Sequence, residues 1–269
     1  MIDRGRYRSR SGRVVDLGAI QRDAERDTRL YTPAELDRLR AANPSSGAGA
    51  MRIELIDATT QVAARDLARS GSVLLLSFAS ARNPGGGFLN GAKAQEEDLC
   101  RCSGLYRALL TQPTYYTHHR AEPSLLYSDH AIYSPRVPFF RTSGREPMSD
   151  ELFLASVITA PAPNAGALRQ RQPEAEAELR ETFRRRWCNI LAIAEERAER
   201  VLVLGAWGCG AFRNDPHLVA ESAQQVVTSP RFAGAFDHIV FAIPGGGARS
   251  SANLAAFRDV FAGTPAPAS

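Results

Sequence analysis

Val73-Leu74-Leu75-Leu76 and Val201-Leu202-Val203-Leu204 are short apolar runs without a polar break. Successive side chains of a strand point to opposite faces, so an unbroken apolar run needs cover on both sides of its sheet. Around these runs the pattern alternates. Strand-like MRIELI (51–56) precedes a helix-like TTQVAARDLARS, then VLLLSFA (73–79), a glycine turn and a helix through Leu99 to Leu110. Further strands are expected at 125–133, 152–160, 201–205 and 238–243, with helices near 173–198, 216–228 and 250–262. Strand, helix, strand in this order implies a layered α/β fold.

The strand at 73–79 leads into Asn83-Pro84-Gly85-Gly86-Gly87, and after seven more residues comes Gln95-Glu96-Glu97. In open α/β sheets ligands sit at the carboxyl ends of strands, and glycines there let backbone approach a ligand closely. Two neighbouring carboxylates beside such a turn are raw material for acid–base work on a sugar bond, because burial next to a second carboxylate raises the pKa of the first. Adjacent helix positions face different sides, so one acid is expected to bind while the other acts. The bland alternatives are a mobile glycine loop and an exposed acidic helix start favoured by the helix dipole.

A second glycine cluster, Gly205 to Phe212, follows the strand at 201–205 and precedes Asn214-Asp215-Pro216, which reads as the cap and first turn of a helix. Amides of such a loop can cradle a diphosphate, although a plain strand-to-helix connection explains the glycines equally well. Neither the glycine order of a dinucleotide fold nor the lysine of an NTPase phosphate loop is present. Phe212 can stack on a base or ribose, or simply fill core. Tyr115-Tyr116 and His118-His119 read as surface residues, Cys100 and Cys102 carry no chemistry, and Asn164 reads as a turn residue.

The formal charge of +4 implies no nucleic-acid coat, though a modest positive excess helps hold an anion. Nearly all the base is arginine, with Lys93 the sole lysine, which points first to a GC-rich coding sequence. The four cysteines lack zinc-type spacing and read as free thiols in a reducing cytosol. No secretion signal and no membrane-length apolar run is seen, so a cytoplasmic protein without metal or membrane partner is expected. Residues 1–50 are polar and arginine-rich, with a helix start at Thr32-Pro33-Ala34-Glu35 combining N-cap, proline and capping-box glutamate. They are expected to form a helical extension packed on a core of residues 51–262, with 263–269 a frayed tail.

Taken together, GGG-x7-QEE, preceded by SFASARNP and followed by DLCRCSGLY, resembles the signature of the bacterial-type poly(ADP-ribose) glycohydrolases. The blocks ELIDATTQVAARDLA, HAIYSPRVPFFR, VITAPAPNAG, GAWGCGAFRN and HIVFAI with NLAAFRDVF also resemble that family, covering most of the chain from Arg26 onward. The resemblance implies a macrodomain-like three-layer α/β/α fold with a mixed central sheet. It implies hydrolysis of ribose–ribose bonds of poly(ADP-ribose), mainly from the chain end, with release of ADP-ribose and no cofactor. By resemblance Glu97 is the general acid and then activates water, while Glu96 binds the hydroxyls of the ribose under attack. The Gly85, Gly86, Gly87 loop would wrap the distal ribose and diphosphate, with Asn83 contacting that ribose and Gln95 supporting the pocket. Gly208, Cys209, Gly210, Ala211 and Phe212 would bind the diphosphate and order the adenosine end. The expected partners are poly(ADP-ribose) and ADP-ribosylated proteins, with no direct nucleic-acid binding and a monomeric protein. A macrodomain that only binds ADP-ribose, or a hydrolase of another ADP-ribosyl compound, are the alternatives.

Overall fold

The computed structural model describes residues 5–42 and 51–263. Its strands are β1 (Arg6–Arg8), β2 (Val14–Asp16), β3 (Arg29–Tyr31), β4 (Arg52–Ile56), β5 (Leu74–Phe78), β6 (Ala131–Phe139), β7 (Phe153–Ala160), β8 (Val201–Leu204) and β9 (His238–Ala242). Its helices are α1 (Gly18–Asp27), α2 (Pro33–Ala41), α3 (Thr60–Leu67), α4 (Gln95–Cys102), α5 (Leu105–Leu110), α6 (Pro113–Ala121), α7 (Ala165–Arg171), α8 (Leu179–Glu196), α9 (Pro216–Val227) and α10 (Ala248–Phe261). The apolar runs are the middle of a seven-stranded sheet of order β3-β6-β7-β5-β8-β9-β4. The strands from β7 through β4 run parallel, while β6 is antiparallel to both β3 and β7.

Side-chain alternation divides β5 between two cores, which is what an unbroken apolar run requires. Leu74 and Leu76 join Phe183, Trp187 and Ile190 of α8, with α9 and α10 on the same face. Leu75 points the other way, to Ala64 of α3, Leu99 of α4, Leu105 of α5 and Tyr115 of α6. The result is the three-layer α/β/α arrangement with a mixed sheet.

Three expectations need correction. Residues 5–42 are more than a helical appendage to a core beginning at Met51, because β3 pairs antiparallel with β6 and forms one edge of the central sheet. The capping box ahead of α2 is present: Glu35 N donates to Thr32 Oγ1 at 3.4 Å and Thr32 N to Glu35 Oε2 at 2.8 Å. The strand expected at 125–133 starts only at Ala131 and runs on to Phe139, through a register shift between Ser134 and Val137. Both prolines of β6 fall beyond the stretch that pairs with β3, consistent with the confinement of proline to edges and bulges.

The third concerns the helix expected through Leu99 to Leu110, which is broken between α4 and α5. There Ser103 Oγ donates to Leu99 O at 2.7 Å and accepts from Leu105 N at 3.1 Å. Gly104 N donates to Pro138 O at 3.0 Å, and a Cβ on Gly104 would lie 1.6 Å from Gln21 Oε1. Docking onto β6 and α1 thus wins over helical continuity at this glycine. No described helix is long and apolar enough to cross a membrane.

Candidate active site

A cleft of about 1210 Å³ opens at the carboxyl ends of the central strands, with Phe78 at the end of β5, Ala206 after β8 and Ile243 after β9 in its wall. Helix α4 starts at this edge, where Gln95 ties it to the last residues of β5. Gln95 Oε1 accepts from Phe78 N at 2.8 Å, while Nε2 donates to Leu76 O at 2.8 Å and to Thr60 Oγ1 at 3.1 Å. One amide therefore joins α4, β5 and the start of α3.

The next two residues carry the acids. Glu97 reaches back over the first turn, accepting from Ala94 N at 3.1 Å with Oε2 and from Gly87 N at 2.8 Å with Oε1. Glu96 Oε2 accepts from Ser80 N at 2.7 Å, while its Oε1 is buried with no protein partner. Although adjacent on the helix, the two carboxylates converge on Gly86 from two sides. A Cβ there would lie 2.3 Å from Glu97 Oε1 and 3.0 Å from Glu96 Oε2, and Gly86 has a φ of +59°, so only glycine fits. Glu96 is 1% exposed and Glu97 8%, so Glu97 is the more open of the pair to the cleft. Burial pushes the Glu96 carboxyl well above the ordinary glutamate value, against the Ser80 N–H that lowers it, and the neighbouring Glu97 charge adds to the rise.

The second glycine loop also lines the cleft. Asn214 holds it: Nδ2 donates to Gly208 O at 2.9 Å and to Pro163 O at 2.8 Å. Gly208 has a φ of +76°, and a Cβ on it would strike Ala162 Cβ and Asn214 Nδ2 at 2.6 Å. The turns within the loop use the N–H groups of Trp207, Cys209, Arg213 and Asn214. Among the described residues no acceptor takes the N–H of Gly210, Ala211 or Phe212. Three consecutive free amides at a cleft wall make an anion-binding surface. Phe212 is half-buried, with its ring 6.2 Å from that of Tyr127.

Most residues singled out from sequence meet here: Asn83, Gly86, Gly87, Gln95, Glu96, Glu97, Gly208, Gly210, Ala211 and Phe212 all line the cleft. Gly85 and Cys209 do not. A Cβ on Gly85 would meet the Tyr106 ring at 3.0 Å and Cys100 Sγ at 3.1 Å, so this glycine serves packing beneath the loop. The Cys209 side chain belongs to the main core. Asp215 caps α9 by accepting from His217 N, and Asn164 caps α7 by accepting from Ala167 N, as turn chemistry implied. Tyr115, Tyr116 and His119 are buried on α6, contrary to the surface reading. Sequence reasoning also missed Ile243, Pro244 and Arg249 of the cleft. The signal was available, for Pro244-Gly245-Gly246-Gly247 is a further glycine run at a strand end. Gly245 N there donates to Asp57 Oδ1 at 2.6 Å. Among the described residues no group of three His, Cys, Asp or Glu is placed to hold a metal ion.

Comparison with known proteins gives this cleft a context. Residues 1–142 match the family described as microbial-type PARG, catalytic domain. The solved poly(ADP-ribose) glycohydrolase of Thermomonospora curvata superposes with a TM-score of 0.91 at 43% identity, over 96% of this chain and 94% of that one. The same enzyme bound to the inhibitor ADP-HPD gives a TM-score of 0.88 at 42% identity, over 96% and 94%. The poly(ADP-ribose) glycohydrolase of Deinococcus radiodurans in complex with ADP-ribose gives 0.83 at 40% identity, over 90% and 96%. No curated protein sequence matches. Agreement in sequence and in fold over nearly the whole length places the chain in the microbial-type poly(ADP-ribose) glycohydrolase family.

Proposed function

We propose that this glycohydrolase trims poly(ADP-ribose) from its terminal unit, with Glu97 moving the proton and Glu96 holding the ribose whose bond is cut. The observation that carries this reading is the convergence of both carboxylates on Gly86, in the same cleft as the free amides of Gly210, Ala211 and Phe212. Those amides suit the diphosphate of a terminal ADP-ribose, and the half-buried Phe212 ring suits its adenosine end. The glycine turn from Asn83 to Gly87 then brings backbone against the distal ribose.

In the reaction the proton of Glu97 passes to the departing ribose oxygen as the C1–O bond breaks, with the bonding pair leaving on that oxygen. The oxocarbenium-like centre lies beside Glu96 and the diphosphate, whose negative charge stabilises it. Water then adds to C1 and its proton returns to Glu97, so the acid is regenerated. The N–H groups of Gly87 and Ala94 fix the Glu97 carboxyl at both oxygens through each cycle. In the Glu97→Gln variant we expect ADP-ribose release from polymer to fall by roughly 10²–10⁴-fold, with ADP-ribose binding retained. Wild-type release by a folded variant would remove Glu97 from the chemistry.

One observation favours a second assignment, in which Glu96 carries the proton. Burial and the neighbouring charge favour its protonated form. On that assignment Glu96→Gln loses as much turnover as Glu97→Gln while ADP-ribose affinity holds; on ours the Glu96 variant also loses affinity.

A further inference from the structure

The cleft is larger than the roughly 300–1,000 Å³ typical of a site for one small ligand, and one arm of its lining holds none of the residues assigned above to a terminal ADP-ribose. That arm runs along α4, past Glu97 to Arg101 and the loop that follows β6. Three cations line it: Lys93 just before α4, Arg101 within α4, and Arg145 in the loop. Glu97 and Arg101 are four residues apart on one helix, hence one turn apart on the same face. The Arg101 guanidinium turns back to donate to Ala92 O, which brings it beside Lys93.

The loop is built to stay in place. Arg141 donates to Arg101 O at 2.9 and 2.6 Å, and to Gly144 O at 3.3 Å and Glu146 O at 3.4 Å, fastening the loop to α4. A Cβ on Gly144 would lie 3.0 Å from Arg101 Cδ, so the loop backbone packs directly on that side chain. The acids nearby are engaged elsewhere: Asp98 accepts from Gln61 Nε2, and Glu146 accepts from Thr142 Oγ1 at 2.7 Å. Among the described residues neither Lys93 nor Arg145 is ion-paired with a carboxylate. In a chain whose base is otherwise arginine, the sole lysine therefore lies on this rim.

We propose that Lys93, Arg101 and Arg145 form a subsite for the diphosphate of the ADP-ribose unit on the leaving side of the scissile bond. This rests on the reading that the terminal unit occupies the two glycine loops. The polymer repeats a diphosphate in every unit, so the segment emerging past Glu97 carries two negative charges into this cationic arm. Arg101, held by Ala92 O and packed under Gly144, supplies the fixed charge. Lys93 and Arg145, free and exposed, adapt to the position of the phosphates.

The test compares wild type, Lys93→Ala/Arg145→Ala and the charge-keeping Lys93→Arg/Arg145→Lys on polymer turnover, and measures free ADP-ribose affinity by calorimetry. We expect KM for polymer to rise on the order of tenfold in the alanine double variant, with most of the loss recovered when charge is kept. ADP-ribose affinity should not move, and the fall of kcat/KM with salt should become shallower as phosphate contacts are lost. An unchanged KM for polymer with active wild-type enzyme overturns the subsite alone. An equal loss of ADP-ribose affinity overturns it too, since the cations would then serve the terminal unit. Wild-type protein that neither binds nor releases ADP-ribose overturns the underlying reading with it.

Discussion

His119 shows how far a single residue can differ from its sequence context. In a stretch of Tyr, Thr, His and Arg it reads as surface, yet it is fully buried beside Tyr115 and Tyr116. Its environment fixes the tautomer: Nδ1 donates to Tyr115 O at 2.9 Å, so Nε2 accepts from Ser128 Oγ at 2.8 Å. Ser128 Oγ in turn accepts from His130 Nδ1 at 2.8 Å. Burial holds the His119 imidazole down at about 4 in place of 6.5. Between those values the unfolded chain binds more protons, so stability falls as the pH drops through the window, by up to about 3 kcal/mol from this group. Urea unfolding at pH 7 and pH 4.5 should show a larger loss for wild type than for His119→Gln. Equal losses would show that this imidazole is not the group titrating. The same limit applies to Gly85 and Cys209, chosen for residue type and neighbourhood, because sequence does not say which atoms of a loop face a ligand and which face the core beneath it.

At the scale of elements, the strands with unbroken apolar runs were legible because nothing but an interior strand accommodates them. The acids were legible because the triple glycine and the strand end gave them a setting. The break after α4 was not, since Leu99 to Leu110 has helical spacing and only the docking of Gly104 against Gln21 and Pro138 interrupts it. Similar reasoning explains β6, where Leu125 and Leu126 pack in a small cluster with α7 and are not part of a strand. Gln95 is the residue that sets α4 relative to β5. Gln95→Ala would leave Phe78 N and Leu76 O short of their partners, for which we expect a loss of about 1–3 kcal/mol. Because the same bonds place Glu96 and Glu97, turnover should fall and ADP-ribose affinity should weaken with it. Chemical denaturation together with single-turnover release checks both, and a variant of unchanged stability and rate would mean that packing alone places the helix.

Across the whole molecule, the segment ahead of residue 43 is the one whose contribution sequence least conveys. Strands of three residues, such as β1, β2 and β3, are too short for period-two alternation to register. In the structure, though, Tyr31 and Leu36 lie in the main core with Trp187 and Leu191 of α8. Arg197 Nε donates to Tyr31 Oη at 2.6 Å, Gln21 Nε2 to Gly104 O at 3.1 Å and Gln112 Nε2 to Thr28 O at 2.8 Å. Removing the segment would expose the edge of β6 along Ala131 to Tyr133 and empty the places of two large side chains. Each buried side chain of that size contributes roughly 1.5–3 kcal/mol, and in a chain of this length each kcal/mol shifts the melting midpoint by about 2–4 °C. With the lost β3 pairing added, the chain truncated before residue 43 should melt on the order of 10 °C or more below the full chain. The exposed β6 edge should also make it prone to association. A truncated protein that melts within a few degrees of the full chain, stays monodisperse by light scattering and retains turnover would show that the core from Met51 folds and works without the strand that now closes its sheet.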